Sequence, residues 1–423
     1  MSLAVMANLM LDVARSGWLA AIRPVHIASA GIIYWVLLDV VQLLYDINEP
    51  SGTIIEAFLC IATFTAALQL ANRHRRFTAP LRMVSQDCSL SRIFLAAIGC
   101  FVIASSYYCF RANWNFGAIL SGLMGGRGAT PWSRGAYGDA WAALEFFTYF
   151  LFLMPSLLVL AIRTPARWFD VRIVVIAILT VLAMLEISSG GSRRDLGLAL
   201  AAPIPLILLT SKKARLRRRI SYPVLALVGL LLIAILLILN ILLATRGNWR
   251  DFAVDGQEIH GIVVDDNFLR LCQTVEAIPQ NAPYAGIQPV YFALVRPIPR
   301  LLWPQKPTDP GFTVHGFLGI GKKVSLSNSV IGELYSSYGF VAVALGGFVY
   351  GLLCRLWEKK VNPWRGTATV LIYCVGCLTL LNGIRSMNDL ILYSYPAICA
   401  MILMPILTNR PLRRKLQHTN RGA

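Results

Sequence analysis

Long runs of apolar residues recur along the chain and are separated by polar connectors. A helix needs about 20 mostly apolar residues to cross a bilayer, and residues 220–244 form such a run with no charged side chain. The pattern predicts about ten transmembrane helices in an all-α polytopic membrane protein. The blocks are approximately 27–46, 52–71, 91–110, 139–162, 171–188, 196–211, 220–245, 329–354, 367–383 and 388–408.

Composition and charge agree with this class. The chain is 57% hydrophobic and only 14% charged, and its 39 Lys and Arg against 21 Asp and Glu give a net charge of +18. In a soluble protein such a charge indicates nucleic acid, but here the short basic connectors follow the positive-inside bias of cytoplasmic loops. We therefore expect no nucleic-acid partner, a bacterial inner-membrane location and both termini in the cytoplasm.

The spacing of the blocks divides the chain into three regions. Residues 1–245 are expected to hold about seven membrane helices, and residues 329–423 about three. Between them, residues 246–328 form one long loop, predicted to lie on the periplasmic side and to fold as short helices. The sequence contains no P-loop, no dinucleotide fingerprint and no metal-ligand spacing. We expect neither a cofactor nor a metal.

Several basic residues fall in the segments predicted to face outward, against the usual bias. A guanidinium group has five donors and suits bidentate binding of phosphate oxygens. This predicts an anion site at the outer membrane surface, although each cation can instead contact ordinary lipid headgroups or pair with a nearby acid. The candidates for a diphosphate site are Arg193, Arg194, Arg300 and Lys306, followed by Arg296, Arg246 and Arg385.

Two of these candidates lie in a proline-rich stretch, IPRLLWPQKP at residues 298–307. Proline fixes the backbone and forbids a regular helix, so Arg300 and Lys306 would be presented rigidly. Trp303 offers a flat aromatic face of the kind that stacks on a sugar ring or lies at a membrane interface. The alternative is an interfacial connector without a ligand.

Carboxylates in the same regions are candidate bases. Glu333 and Asp266 are the preferred candidates for orienting or deprotonating a hydroxyl group. Glu333 can alternatively stabilise the start of its own helix through the helix dipole. The remaining acids and histidines that we considered are Asp265, His260 and His315 in the loop, and Glu56, Glu145 and Glu186 near predicted outward helix ends.

The order of these motifs resembles a known family. A Gly191-Ser192-Arg193 turn is followed by the long loop with Tyr284-Ala285-Gly286 and the proline-rich stretch, and then by Gly332-Glu333-Leu334-Tyr335 and Tyr338-Gly339. Over residues 186–352 the chain resembles the Wzy-type O-antigen and exopolysaccharide repeat-unit polymerases.

The resemblance implies a GT-C-like architecture and a glycosyltransferase. Such an enzyme takes two undecaprenyl-diphosphate-linked glycans at the periplasmic face and moves the growing chain onto the non-reducing end of the incoming repeat unit. Membrane lipids are its surroundings, and a chain-length regulator and a flippase are candidate partner proteins. Three alternatives stay open: a transporter or flippase of lipid-linked glycans, an O-antigen ligase, and an assembly subunit that binds glycan without catalysis.

Overall fold

A computed structural model of the protein describes residues 8–14, 17–72, 88–124, 144–164, 170–189, 193–210, 222–244, 261–319 and 326–408. These residues form helices and connecting turns and include no β-strand, so the all-α class is confirmed. The helices are α1 Pro24–Val41, α2 Ser51–Asn72, α3 Leu90–Arg111, α4 Phe116–Met124, α5 Glu145–Ile162, α6 Val171–Ser189, α7 Arg193–Ala201, α8 Pro203–Thr210, α9 Tyr222–Ala244, α10 Asn267–Ala277, α11 Gln288–Val295, α12 Val314–Phe317, α13 Ser329–Lys360, α14 Thr367–Asn382, α15 Met387–Leu392 and α16 Ser394–Leu407.

Each of the ten apolar blocks corresponds to helix. Within the described residues, seven helical stretches are long and apolar enough to cross a membrane. A helical multi-pass membrane protein is therefore confirmed, while ten spans and a GT-C-like architecture stay predictions. The seven stretches are Pro24–Val41, Ser51–Asn72, Leu90–Arg111, Glu145–Ile162, Val171–Ser189, Ser329–Arg365 and Met387–Leu407.

The block at 196–211 does not form one continuous helix. Helix α7 ends at Ala201 and α8 begins at Pro203. Proline lacks the amide hydrogen that a helix interior requires, and its ring clashes with the preceding turn. The same residue is tolerated in the first turn of a new helix, which explains why α8 starts there.

The chain divides into two compact units, each assembled from separated stretches of sequence. The first unit contains Met1–Ala79, Gly247–Lys360 and Gly376–Ser394, and the second contains Pro80–Arg246, Val361–Val375 and Tyr395–Ala423. The three consecutive regions expected from the sequence stay a prediction.

Close packing of α2 against α13 forms the centre of the first unit. Gly347 and Gly351 lie one turn apart on α13, and a Cβ atom added to them would lie 2.5 Å from the backbone oxygens of Phe64 and Leu68, respectively. Small residues at this spacing let two membrane helices approach through their backbones. Because hydrocarbon gives helices no hydrophobic reason to associate, this close contact supplies the packing energy.

The part of the long loop that follows residue 261 packs on the same helices. Helix α10 buries Phe268, Leu271 and Val275, and the ring of Phe268 lies 4.7 Å from that of Phe58 on α2. Helix α10 also forms a polar contact with α1, since Asn267 Nδ2 donates a hydrogen bond to the Trp35 carbonyl at 2.9 Å. The loop in this region is therefore an integral part of the first unit.

Helices α3, α5 and α6 pack together in the second unit. Helix α5 begins as a 3-10 helix and becomes α-helical at Met154, where Pro155 occupies the first turn. Thr180 on α6 donates to the Met154 carbonyl at 3.4 Å. Ser105 on α3 donates to Glu186 on α6, so α3 and α5 each contact α6 through a polar group.

Candidate functional site

Three cations in or just before the proline-rich stretch lie together in the first unit, and we call Arg296, Arg300 and Lys306 the cation cluster. Lys306 Nζ donates to the carbonyls of Arg296 and Ile298, at 3.1 and 2.6 Å. Burial, together with the positive charges of Arg296 and Arg300, lowers the pKa of Lys306 below the ordinary lysine value. Both guanidinium groups are therefore close enough to Lys306 to disfavour its charged form.

Backbone carbonyls hold the arginine in place. Arg300 donates through Nη1 to the Pro304 carbonyl at 3.2 Å and through Nη2 to the Pro307 carbonyl at 3.3 Å. A guanidinium has five donors, so most of its N–H groups have no acceptor within the described chain. The expectation of a rigidly presented arginine agrees with this geometry.

No carboxylate in the described part of the chain pairs with any member of the cation cluster. The neighbouring groups that fix these side chains are carbonyls and the ring of Phe292, which lies 5.8 Å from the Arg296 guanidinium carbon. Their positive charge is thus oriented but not neutralised. An anion brought to this surface meets preorganised donors, the arrangement that stabilises charge on phosphate oxygens.

Trp303 lies within the same stretch and is half-buried. Its amide donates to the Pro299 carbonyl at 3.1 Å, which continues the series of turns that positions Arg300. The residues just before it, Leu301 and Leu302, are exposed. The indole therefore remains a candidate face for a sugar ring or for the membrane interface.

Arg385 has a different environment. Its Nε donates to Asp265 at 2.6 Å, its Nη1 donates to Asp389 at 2.8 Å, and its guanidinium lies 5.8 Å from the ring of Trp35. Two carboxylates therefore balance one guanidinium. This cation ties the loop to α15 and α1, and it contributes much less to an anion site than the cation cluster does.

The backbone amide of Asp265 is in turn hydrogen-bonded to α1. Asp39 accepts hydrogen bonds from the amides of Val264 and Asp265, at 3.1 and 3.0 Å. Asp39 and Asp389 are buried acids inside apolar blocks. Sequence reasoning did not single them out, although a charge within an apolar block is itself a signal.

Asp266, one of the two preferred bases, forms an ion pair with Arg270 one turn further along α10. Burial raises the pKa of Asp266, and the charge of Arg270 opposes that effect. An acid with a committed cationic partner is a poorer proton acceptor, because protonation would break the pair. The geometry therefore favours the other candidate.

Glu333 lies in the first turns of α13, and its Oε2 accepts from the Met387 amide at 2.6 Å. Together with Ser386, whose hydroxyl accepts from the Asp389 amide at 3.0 Å, it satisfies two N–H groups at the start of α15. The dipole that Glu333 contacts thus belongs to α15 rather than to its own helix. No described cation forms an ion pair with it.

Helix α13 is broken at Tyr338 and Gly339, close to this carboxylate. Gly339 has φ +62° and ψ −146°, a conformation that essentially only glycine adopts. The amides of Ala285 and Gly286 donate to the carbonyls of Ser336 and Ser337, at 2.8 and 3.2 Å. The loop motif at 284–286 therefore supplies the hydrogen bonds that the broken helix lacks, as membrane-embedded backbone requires.

A second carboxylate faces the same broken helix. The phenol of Tyr335 donates to Glu56 Oε1 at 2.6 Å, which joins α13 to α2. The sequence indicated Glu56 as a residue near a helix end but gave no sign of its partner, because Tyr335 lies 279 positions away.

His315 lies on the short helix α12 of the first unit, and the remaining candidates lie in the second unit or outside the described residues. Arg193 begins α7, and the structure describes only its backbone. Arg194 Nε lies 3.7 Å from Asp195 Oδ1, so an acid accompanies this cation. Glu186 is buried, and the hydroxyl of Ser105 donates to its two oxygens, at 2.9 and 3.1 Å. Arg246 and His260 lie outside the described residues.

A search of the described residues for groups of three or more His, Cys, Asp or Glu able to hold a metal finds none. The chemistry that the cation cluster offers is electrostatic stabilisation of an anion by guanidinium and ammonium groups.

The geometry and the spans together define a helical multi-pass membrane protein with an uncompensated basic cluster. A family model described as a domain of unknown function, DUF8712, matches residues 267–404. The matched part contains the cation cluster, Glu333, Arg385 and the broken helix. No curated protein and no solved structure matches this chain.

Proposed function

We propose that the protein is a glycosyltransferase of the bacterial inner membrane that joins undecaprenyl-diphosphate-linked oligosaccharide repeat units at the periplasmic face. The observation that supports this most is the cation cluster, three positive charges without an acid partner in the described chain, of which Arg300 and Lys306 are held by backbone carbonyls and Arg296 by the ring of Phe292. A polyprenyl diphosphate has its anionic oxygens at the boundary of the bilayer, where a membrane protein can present such donors. The motif order described above supports the same proposal.

The proposed reaction moves the glycan from the diphosphate of the donor to a hydroxyl group of the acceptor. The glycosidic carbon–oxygen bond to the diphosphate breaks, a new bond to the acceptor oxygen forms, and the hydroxyl proton leaves. Negative charge develops on the leaving diphosphate, which Arg300, Lys306 and Arg296 can stabilise. Removing one such donor typically costs about 10²–10³ in rate.

Glu333 is the proposed group that receives the acceptor proton. It is a carboxylate without a described cationic partner, beside the break in α13. Its hydrogen bond from the Met387 amide orients the side chain and leaves the other oxygen available. Asp266 is second choice because Arg270 binds it.

The test is to incubate purified protein in detergent with lipid-linked repeat units and to separate the products by size. The wild-type protein should produce a ladder, and Arg300→Ala and Lys306→Ala should each lower its rate by about 10²–10³. Lys359→Ala is the matched control, because it removes a cation from the far end of α13. Normal polymerisation by both cluster variants would refute the site.

Glu333→Gln separates catalysis from folding. Glutamine keeps an oxygen that can accept from the Met387 amide but cannot take up a proton. For Glu333→Gln we expect loss of the ladder with an unchanged unfolding midpoint. Glu333→Ala should lower both the yield of the ladder and the unfolding midpoint. A Glu333→Gln variant with full activity would exclude the carboxylate as the base.

A transporter of lipid-linked glycans is the second candidate, and the break in α13 favours it. Discontinuous membrane helices are typical of transporters, in which half-helix ends face the transported substrate. The Ala285 and Gly286 amides cover the two freed carbonyls, which argues against an open transport site. Movement of the lipid-linked unit across proteoliposomes without a ladder would favour the transporter.

A further inference from the structure

Helix α11 has two apolar faces, of which only one is covered. Pro289, Phe292 and Ala293 are buried against the first unit. Ile287, just before the helix, and Tyr291 and Leu294 within it are exposed, and the exposed fraction of Leu294 is 64%. Positions separated by four and three residues lie on the same side of a helix, so these exposed residues form a single stripe opposite the buried face.

The exposed apolar surface continues through the turns that follow α11. Ile298, Leu301 and Leu302 are exposed, the last two at 66% and 76%. We call the whole set the apolar stripe: Ile287, Tyr291, Leu294, Ile298, Leu301 and Leu302. Isolated exposed apolar residues are ordinary, but a contiguous group on one element marks an interaction surface.

The cation cluster alternates with this stripe along the chain. Arg296 precedes Ile298, Arg300 precedes Leu301, and Lys306 donates to the Ile298 carbonyl. No described carboxylate pairs with these cations. Apolar side chains bordered by uncompensated cations are the composition of segments that lie in the interface of an anionic bilayer.

We propose that the apolar stripe inserts into the boundary between headgroups and acyl chains, and that the cation cluster binds the phosphates of anionic phospholipids there. The occupant is a lipid surface rather than a soluble protein for two reasons. The charge of the cluster complements anionic headgroups, and α2 and α13 of the same compact unit have the length and composition of membrane spans. The inference does not depend on polymerase activity.

The test measures lipid contact at single positions in the full-length protein. Leu294→Cys and Leu301→Cys are labelled with a fluorophore and reconstituted in nanodiscs with phosphatidylglycerol and brominated phosphatidylcholine. Gln305→Cys and Asp309→Cys, exposed polar positions on the same loop, are the matched controls. Wild-type protein treated with the same reagent corrects for labelling of the native cysteines.

Brominated lipid should quench the labels at 294 and 301 at least twice as strongly as those at 305 and 309, and aqueous iodide should show the reverse order. Replacing all three residues of the cation cluster by glutamine in the Leu294→Cys background should remove the part of the lipid quenching that depends on phosphatidylglycerol.

Equal iodide quenching at all four positions would overturn the proposal. Protection of 294 and 301 from both quenchers would also overturn it, because protein would then cover the stripe. A missing ladder with intact lipid quenching would refute only the polymerase.

Discussion

Replacing Gly347 and Gly351 by alanine tests whether backbone approach sets the packing of α2 against α13. Each new Cβ would lie 2.5 Å from a backbone oxygen, about 0.9 Å short of the 3.4 Å at which ordinary contact begins. The opposing atoms belong to the backbone of Phe64 and Leu68, which cannot rotate away as a side chain can. The helices must therefore separate.

The expected cost follows from two opposing terms. Overpacking of this kind costs about 1–3 kcal/mol, and alanine recovers about 1 kcal/mol of helix propensity over glycine. A single displacement of α13 relieves both clashes, so the two substitutions are not additive. Because the opposing atoms are backbone, the overpacking cost should lie near the upper end, about 3 kcal/mol, so each single variant should lose about 2 kcal/mol net, roughly a thirtyfold change in the unfolding equilibrium, and the double variant no more than that.

The assay is unfolding in mixed micelles of a mild detergent and sodium dodecyl sulfate, followed by tryptophan fluorescence. Gly52→Ala in α2 is the matched control, since no atom lies within 4 Å of its added Cβ. That variant should be neutral or slightly stabilised. If Gly347→Ala and Gly351→Ala behave like the control, close backbone approach does not determine this helix pair.

Three further predictions concern the break and two titrating groups. Gly339→Ala forces a side chain into a backbone conformation reserved for glycine, 3.1 Å from the Tyr284 hydroxyl; it should lower stability by about 1–3 kcal/mol in the same micelle assay, and Tyr284→Phe should not rescue it. The neighbouring carboxyl group of Glu276 raises the pKa of Glu49, so the contact stabilises the fold in acid and loses that contribution as the pH rises through the raised pKa of Glu49. Glu49→Gln should raise the melting temperature by about 1–2 °C at pH 7 and leave it unchanged at pH 4, and a fall at pH 7 would contradict the carboxyl contact. Because the pKa of Lys306 is lowered, the affinity of the wild-type protein for inorganic diphosphate should fall relative to that of Lys306→Arg as the pH rises from 7 to 10, by about tenfold at most. The ratio of the two dissociation constants from calorimetric titrations cancels the ionisation of diphosphate itself, and a ratio that does not change with pH would contradict the titration of Lys306.

The fold class could be predicted from the sequence because bilayer thickness imposes a length on every crossing helix. The ten apolar blocks all correspond to helix, and the basic stretch at 296–306 forms a compact group as its prolines indicate. Prolines act locally, so their effect on the backbone is readable from neighbouring residues. Pro203 divides the block at 196–211 into α7 and α8 for the same local reason, although the apolar pattern alone predicted one helix there.

Contacts between residues far apart in the sequence could not be predicted from the sequence. Arg385 looked like the other outward arginines until the structure placed Asp265, 120 positions away, against its Nε. For Glu333 the alternative to a catalytic base was a stabilising role at the start of its own helix, but its carboxylate contacts the first turn of α15 instead. Periodicity and composition describe one element at a time, whereas these contacts depend on which elements meet in the folded unit.

The break in α13 shows why the site could be located only in part. Tyr338 and Gly339 lie in an uninterrupted apolar block, and glycine alone does not stop a membrane helix. The conformation at Gly339 is tolerable because the Ala285 and Gly286 amides reach the two freed carbonyls. The break in the helix therefore depends on the loop that covers its carbonyls, and neither stretch of sequence alone indicates the break.

The distinction between neutralised and uncompensated cations carries the functional argument. Arg385 lies between two carboxylates and would have to break ion pairs before it could bind a phosphate. The free energy lost with those ion pairs would reduce the free energy gained from the phosphate. Arg300 and Lys306 surrender no ion pair, because their partners are carbonyl oxygens that keep the donors in position. Repulsion of the Lys306 charge by the two guanidinium groups adds to this difference, since an arriving anion relieves it. Positive charge thus stabilises the fold at Arg385, where carboxylates pair with it. At the cation cluster it has no paired acid and can bind an anionic ligand.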